Sequence, residues 1–220
     1  MPFLLLVLVS LASAQDLLHL TFEGHYRDKP KTSIVRTAAT GVIKIPVHCA
    51  SLSSLLASLP ADDAMRQKYP LLELKQAGFP EKREPEELRN VEVDCWMYAV
   101  KFEDGRGHKK GDNDLHVIIG STSSPGTSAF MTAEVSGLPG SGKNLQPLAD
   151  VRKRFLQMFS GFTFTSGFRR ITPPKKVTLA GSLFFDGDHG AGCDACPGPK
   201  WAKPKTAWEI HPVHSISAVP

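Results

Sequence analysis

The chain has 220 residues, with 26 Lys and Arg against 22 Asp and Glu, for a formal net charge of +4. That length suits one domain with a real core and at most a small appendage. The positive balance is too small by itself to imply a nucleic-acid partner. Past the first residues no apolar run reaches the ~20 residues of a transmembrane helix.

The first residues, MPFLLLVLVSLASAQ, predict an export signal. Residues 3–11 are uncharged and apolar but too short to span a bilayer, and Ala12-Ser13-Ala14 is the small-x-small pattern a signal peptidase cuts. The expected signal peptide is 1–14, and the exported protein, periplasmic or extracellular, begins at Gln15. Residues 15–88 read as an irregular extension. It holds short strands at 17–22 and 41–47, a short helix at 51–59 ended by Pro60, and a charged, proline-punctuated stretch. Within that stretch 82–87 reads as a solvated boundary.

Past Arg89 the texture changes. Val91, Val93, Cys95 and Met97 alternate with Glu92, Asp94, Trp96 and Tyr98, which predicts a two-faced strand over 90–103. Further strands are expected at 115–119, 129–135, 175–185 and 206–216. Apolar residues at 148, 151, 155, 156, 158 and 159 have helical spacing over 145–159. Gly181, inside the fourth of these strands, predicts a bulge or sharp bend. Three strands, a helix and two strands is the order of a partly open OB-type barrel. Residues 89–220 are therefore expected to form a mainly β (α+β), strongly curved, OB-like antiparallel barrel with the helix plugging one end. Its core should draw on Trp96, Val117, Val135, Phe155, Leu179 and Ile210. A β-sandwich is the alternative with the same pattern.

Residues 137–144, GLPGSGKN, match seven positions of the phosphate-cradling pattern G-x-x-x-x-G-K-[ST]. Asn144 stands where the Mg²⁺-binding hydroxyl belongs, and the flanking strands lack βαβ order. The segment reads as a strand-to-helix connection, and no nucleotide is expected.

Cysteines stand at 49, 95, 193 and 196. In an exported chain Cys193 and Cys196 suggest a disulfide. Half a zinc site and a redox pair are the other readings of C-x-x-C.

Polar groups inside apolar strands mark where chemistry would sit. D-L-H places Asp114 and His116 on one strand face, A-E-V places Glu134 at a strand end, and W-E-I-H places Glu209 and His211 on one face. Asp186, Asp188 and His189 follow a strand directly. The set D-x-H, A-E-V, G-x-x-F-F-D-x-x-H-G and E-I-H-P-V resembles a group of bacterial proteins of unassigned activity that carry these four segments in this order. The resemblance covers 83–216 and implies one domain over that span. It implies no mechanism.

Three chemistries fit these residues. They can be buried, hydrogen-bonded groups, with His116 and His211 sharing one patch with Asp114 and Glu209. They can hold a divalent metal such as zinc through His116, His189, Glu209 and His211, for hydrolysis of a phosphoester or ester. They can work as acid and base without metal, with His116, His211 and Glu209 as the catalytic groups. A binding role rests on other residues: Arg152, Lys153, Arg154, Arg169, Arg170, Lys175 and Lys176, interleaved with phenylalanines and no acid. These predict a polyanionic partner, nucleic acid or acidic glycan. The polyanion-binding module is the leading expectation, and the metal-dependent hydrolase is its alternative.

Overall fold

The computed structural model describes residues 14–23, 27–73, 81–105, 111–187, 193 and 196–219. The expected signal peptide lies almost entirely outside these, as do Asp188 and His189. Among the described residues no helix is long and apolar enough to cross a membrane.

The fold is mainly β. Strands β1 (Val47–Cys49), β2 (Asn90–Phe102), β3 (Leu115–Gly120), β4 (Phe130–Val135), β5 (Arg169–Phe185) and β6 (Trp208–Ala218) form a mixed sheet. Its helices are α1 (Ala14–Leu17), α2 (Asp28–Lys31), α3 (Leu52–Ala57), α4 (Asp62–Lys68) and α5 (Leu145–Met158). The strand order is β1-β2-β3-β4-β6-β5, and β2 pairs with β5 as well. β1–β2 and β4–β6 are parallel; the other pairings are antiparallel.

Alternation decides which side chains are inside. Val91, Val93, Cys95 and Met97 of β2 join Val117, Val135, Leu179 and Ile210 in one core with Val151 and Phe155 of α5. Trp96 has the opposite parity from Cys95 and Met97. It is half-buried on the outer face, against a cluster of Tyr98, Ala99 and Ile118, and is not in the main core. Gly181 sits where the β5–β6 register shifts on both sides. A Cβ there would lie 2.6 Å from the Pro212 carbonyl oxygen, so only glycine allows the close approach of β6.

The extension departs most from expectation. Residues 14–17 are helical, and the strand expected at 17–22 shrinks to one bridge, Thr21 to Leu138. The strand expected at 41–47 forms only as Val47–Cys49, beyond a bridge between Arg36 and Ile43. Helix α3 forms where its signals lie, with the Ser51 hydroxyl accepting from Ser54 N–H. The stretch 82–87 is not a solvated boundary. Arg83 donates to the carbonyls of Pro30, Ser33, Leu183 and His211, and Glu87 is fully buried.

Arg152 does not belong to a polyanion-binding surface. It is fully buried, and its guanidinium donates to the carbonyls of Leu17, Val135, Ser136 and Asn113 at 2.6–3.2 Å. Helical spacing explains this: Arg152 follows Val151 and lies four before Leu156, so it faces inward. A planar five-donor group then ties α1 to the end of β4. Arg152→Met is expected to cost about 2–3 kcal/mol, whereas Lys153→Ala on the exposed face should stay within about 0.5 kcal/mol. Denaturant titration of the two variants checks the difference.

Candidate metal centre

The outer face of β3, β4 and β6 carries the polar residues. In register, Lys101 of β2 lies opposite His116, His116 opposite Glu134, Thr132 opposite Glu209, and Glu209 opposite Phe184 of β5. Directly opposed residues share a face. The D-x-H, A-E-V, F-F-D and E-I-H segments thus all deliver groups to one place.

Glu134 is the hub. Its Oε1 lies 2.7 Å from His116 Nδ1 and its Oε2 lies 3.4 Å from His211 Nδ1. His211 Nε2 lies 3.1 Å from Asp114 Oδ2, and its Nδ1 lies 3.6 Å from Glu209 Oε2. Asp114, just before β3, therefore stands against His211 of β6. The neighbours of His116 are Glu134, Glu103 at 3.6 Å and Thr132 at 3.4 Å. Asp114 is fixed from its other oxygen, which accepts from Gly137 N–H. Gly137 is required there: a Cβ would sit 2.7 Å from the Asp112 carbonyl oxygen and 2.8 Å from Phe22 Cα.

Asp114 and His211 have no exposed surface; among the described residues of the cluster Glu103, a quarter exposed, reaches furthest toward solvent. The N-terminal extension forms part of the cover. Lys31 of α2 places its Nζ 3.2 Å from Asp112 Oδ2 and 5.8 Å from the Phe184 ring.

Burial and crowding set the charges. Burial raises Asp114 well above the usual carboxylate range, helped by the charges of Asp112 and Glu134 and a hydrogen bond to Glu134. Burial likewise raises Glu209, with Glu134 and Asp186 adding repulsion. Burial also pushes Glu134 upward, but its neighbours, His116 first, more than offset it and hold Glu134 well below the usual range. Burial takes His211 down to about 3, so its ring is neutral near pH 7, the form that ligates metal.

Asp114 Oδ2, Glu134 Oε2 and Glu209 Oε2 accept no hydrogen bond from an N–H or hydroxyl group among the described residues, and neither His211 ring nitrogen makes one. Buried polar atoms in that state need a proton or a cation. One ligand atom each from Asp114, Glu134 and His211 lie within 4.8 Å of one another, which is metal-binding spacing. Of the ligands expected from sequence, His211 is in this set. His116 and Glu209 border it, and His189 lies outside the described residues. Asp114 and Glu134 were legible as polar groups in apolar strands. Glu103, Asp112 and Lys31 gave no signal, because loops and the extension bring them in.

Cys193 and Cys196 form a disulfide, while Cys49 and Cys95 are free. The expected polyanion-binding cations other than Arg152 are exposed, but strand alternation splits those of β5. Arg169 and Lys175 lie over Phe162 and Phe159 at 4.8 and 5.0 Å, whereas Arg170 lies over Trp201 at 4.5 Å. No protein-family model, curated protein or solved structure matches the chain.

Proposed function

We propose that this is an exported, OB-like domain that holds a divalent metal ion and uses it to hydrolyse a phosphoester or ester. The observation that carries the metal is the convergence of Asp114, Glu134 and His211, with ligand atoms within 4.8 Å of one another, buried, and with oxygens and ring nitrogens that face chiefly one another among the described residues. Two carboxylates and an imidazole suit zinc or manganese, and three protein ligands leave a coordination position for water.

Support for the OB-like architecture is the circuit of pairings, which runs β2-β3-β4-β6-β5 and returns to β2, with α5 between β4 and β5. Support for export is the apolar start of the chain together with the Cys193–Cys196 disulfide.

A bound ion supplies Lewis-acid stabilisation and a more acidic water. The chain's own residues orient and move protons. His116, beside Glu134 at the Glu103 edge, is placed to accept a proton. Glu209, protonated to well above the usual carboxylate range, is placed to return one. Water adds to phosphorus or to the acyl carbon, the bond to the leaving oxygen breaks, and that oxygen takes the proton.

The test is metal analysis of protein purified without chelator and dialysed against zinc or manganese. About one ion per chain is expected, with loss in Glu134→Gln and His211→Ala and with circular dichroism confirming that Glu134→Gln still folds. No retained ion and no thermal shift with either metal would reject the centre. With metal confirmed, a nitrophenyl phosphodiester and a nitrophenyl ester report the reaction. Turnover of either, abolished in Glu134→Gln, is expected; turnover of neither by the metal-loaded protein would reject the hydrolase.

A further inference from the structure

The outer face does not end at His116. The His116 ring makes an edge contact with Phe168, centroids 5.3 Å apart, and Lys101 Nζ, which also pairs with Glu103, lies 5.2 Å from the Phe168 ring. Beyond Phe168 comes Arg170, opposite Ala99 of β2, with its guanidinium over Trp201. Trp201 is 37% exposed and is carried by a short 3₁₀ turn whose Ala202 packs on Tyr98, Ala99 and Ile118. Farther along, Lys176 lies opposite Trp96, which is half-buried. Cations and rings thus alternate along β2 from Trp96 to Lys101. At about 3.3 Å per residue this track is roughly 16 Å long, and it ends at His116, beside the quarter-exposed Glu103. Asp94 and Glu92, on the same face past Trp96, terminate it at the other end.

We propose that this track binds single-stranded nucleic acid and leads it to the His116 edge of the centre, which makes the substrate a nucleic-acid phosphodiester; this rests on the hydrolase reading above. Charge alone would suit any polyanion. The rings decide the class, because bases stack on aromatic faces while cations hold the phosphates between them. A duplex buries its base faces, and a sulfated glycan has no planar rings. In the reaction, water adds to phosphorus, the bond to one ester oxygen breaks, and the released alcohol keeps the proton delivered to it.

The experiment measures fluorescence anisotropy of a labelled single-stranded 12-mer with the full chain in EDTA, so that binding is read without metal. Duplex DNA and heparin serve as competitors. Expected is preference for the single strand and a log–log salt slope reduced by about 0.7 in Arg170→Ala, one phosphate contact. Affinity should fall at least fivefold in Trp201→Ala and be kept within twofold in Trp201→Phe, with strand-dependent quenching of tryptophan emission in the native protein. Absence of binding, equal binding of heparin or duplex, or indifference to Trp201→Ala would overturn the track. Metal content is measured separately, so a protein that holds zinc but ignores the strand refutes this proposal alone. A protein that binds the strand but holds no ion refutes only the centre.

Discussion

Arg27→Ala and Glu87→Ala should each lower stability by about 3–5 kcal/mol, the cost of leaving one partner of a buried pair uncompensated. Both side chains are fully buried, and Arg27 donates to both Glu87 oxygens at 2.8 and 2.6 Å. The pair is embedded on every side. Glu87 Oε1 also accepts from Phe185 N–H at 2.8 Å, and Arg27 donates to the carbonyls of Phe185 and Lys82 and lies 4.7 Å from the Phe184 ring centroid. It therefore fastens the extension to the end of β5, one residue from Asp186. For a chain of this size a kcal/mol moves the melting temperature by about 2–4 °C, so each variant should melt roughly 6–20 °C below the parent. A loss under about 1 kcal/mol in urea titration would mean that the extension adds little to the domain. The two losses should be far from additive, because each variant already breaks the same pair.

That pair also marks the limit of what was legible. Strands β2 to β6 and helix α5 could be placed from alternation and helical spacing because a two-sided strand writes its burial into every second residue. Trp96, expected in the core, has the parity of an outer-face residue; the outer cluster with Tyr98 and Ile118 explains why a large ring sits there. The extension obeys no period. Its position is set by single side chains such as Arg27, Arg83 and Lys31, which reach carbonyls and carboxylates more than fifty residues away. A charge in a charged stretch looks solvated until its partner is known, which is why Glu87 was misplaced. The same holds for the site: the residues of the β strands could be found as polar groups in apolar strands, but their pairing crosses between strands. Asp114 meets His211 through β-sheet register and the close approach at Gly137, neither of which a local pattern records.

Lys31→Met is expected to separate a metal centre from a merely structural network, because the two make opposite predictions for it. Lys31 is a buried cation. Burial lowers its affinity for a proton, but Asp112, Asp186, Glu134 and Glu209 outweigh that and hold its pKa well above the ordinary value. A raised lysine contributes stability that is fully present below the unfolded value of about 10.4 and lost only above it. Between pH 5 and 7.5 the lysine itself is therefore constant. Asp112, facing it, is pushed up to about 6 by burial, with Lys31 pulling the other way. Between about pH 4 and 6 the folded state binds a proton at Asp112 that the unfolded chain does not, so the stability from this group falls as pH rises through that window. Without Lys31 the carboxylate rises further, and its cost at neutral pH grows. In EDTA, Lys31→Met should lose about 3 kcal/mol at pH 7.5 and clearly less at pH 5, where Asp112 is already neutral. Removing a positive charge beside Glu134 and Glu209 should also tighten divalent-ion binding tenfold or more, about 1.4 kcal/mol, and a ligand bound only by the folded state returns that difference as stability. Saturating zinc or manganese should then close much of the gap between Lys31→Met and the parent in thermal melts, while Glu134→Gln abolishes the rescue. If the variant is equally unstable with and without metal, or binds the ion more weakly than the parent, the carboxylates are balanced by Lys31 and protons alone, and the cluster is a core network.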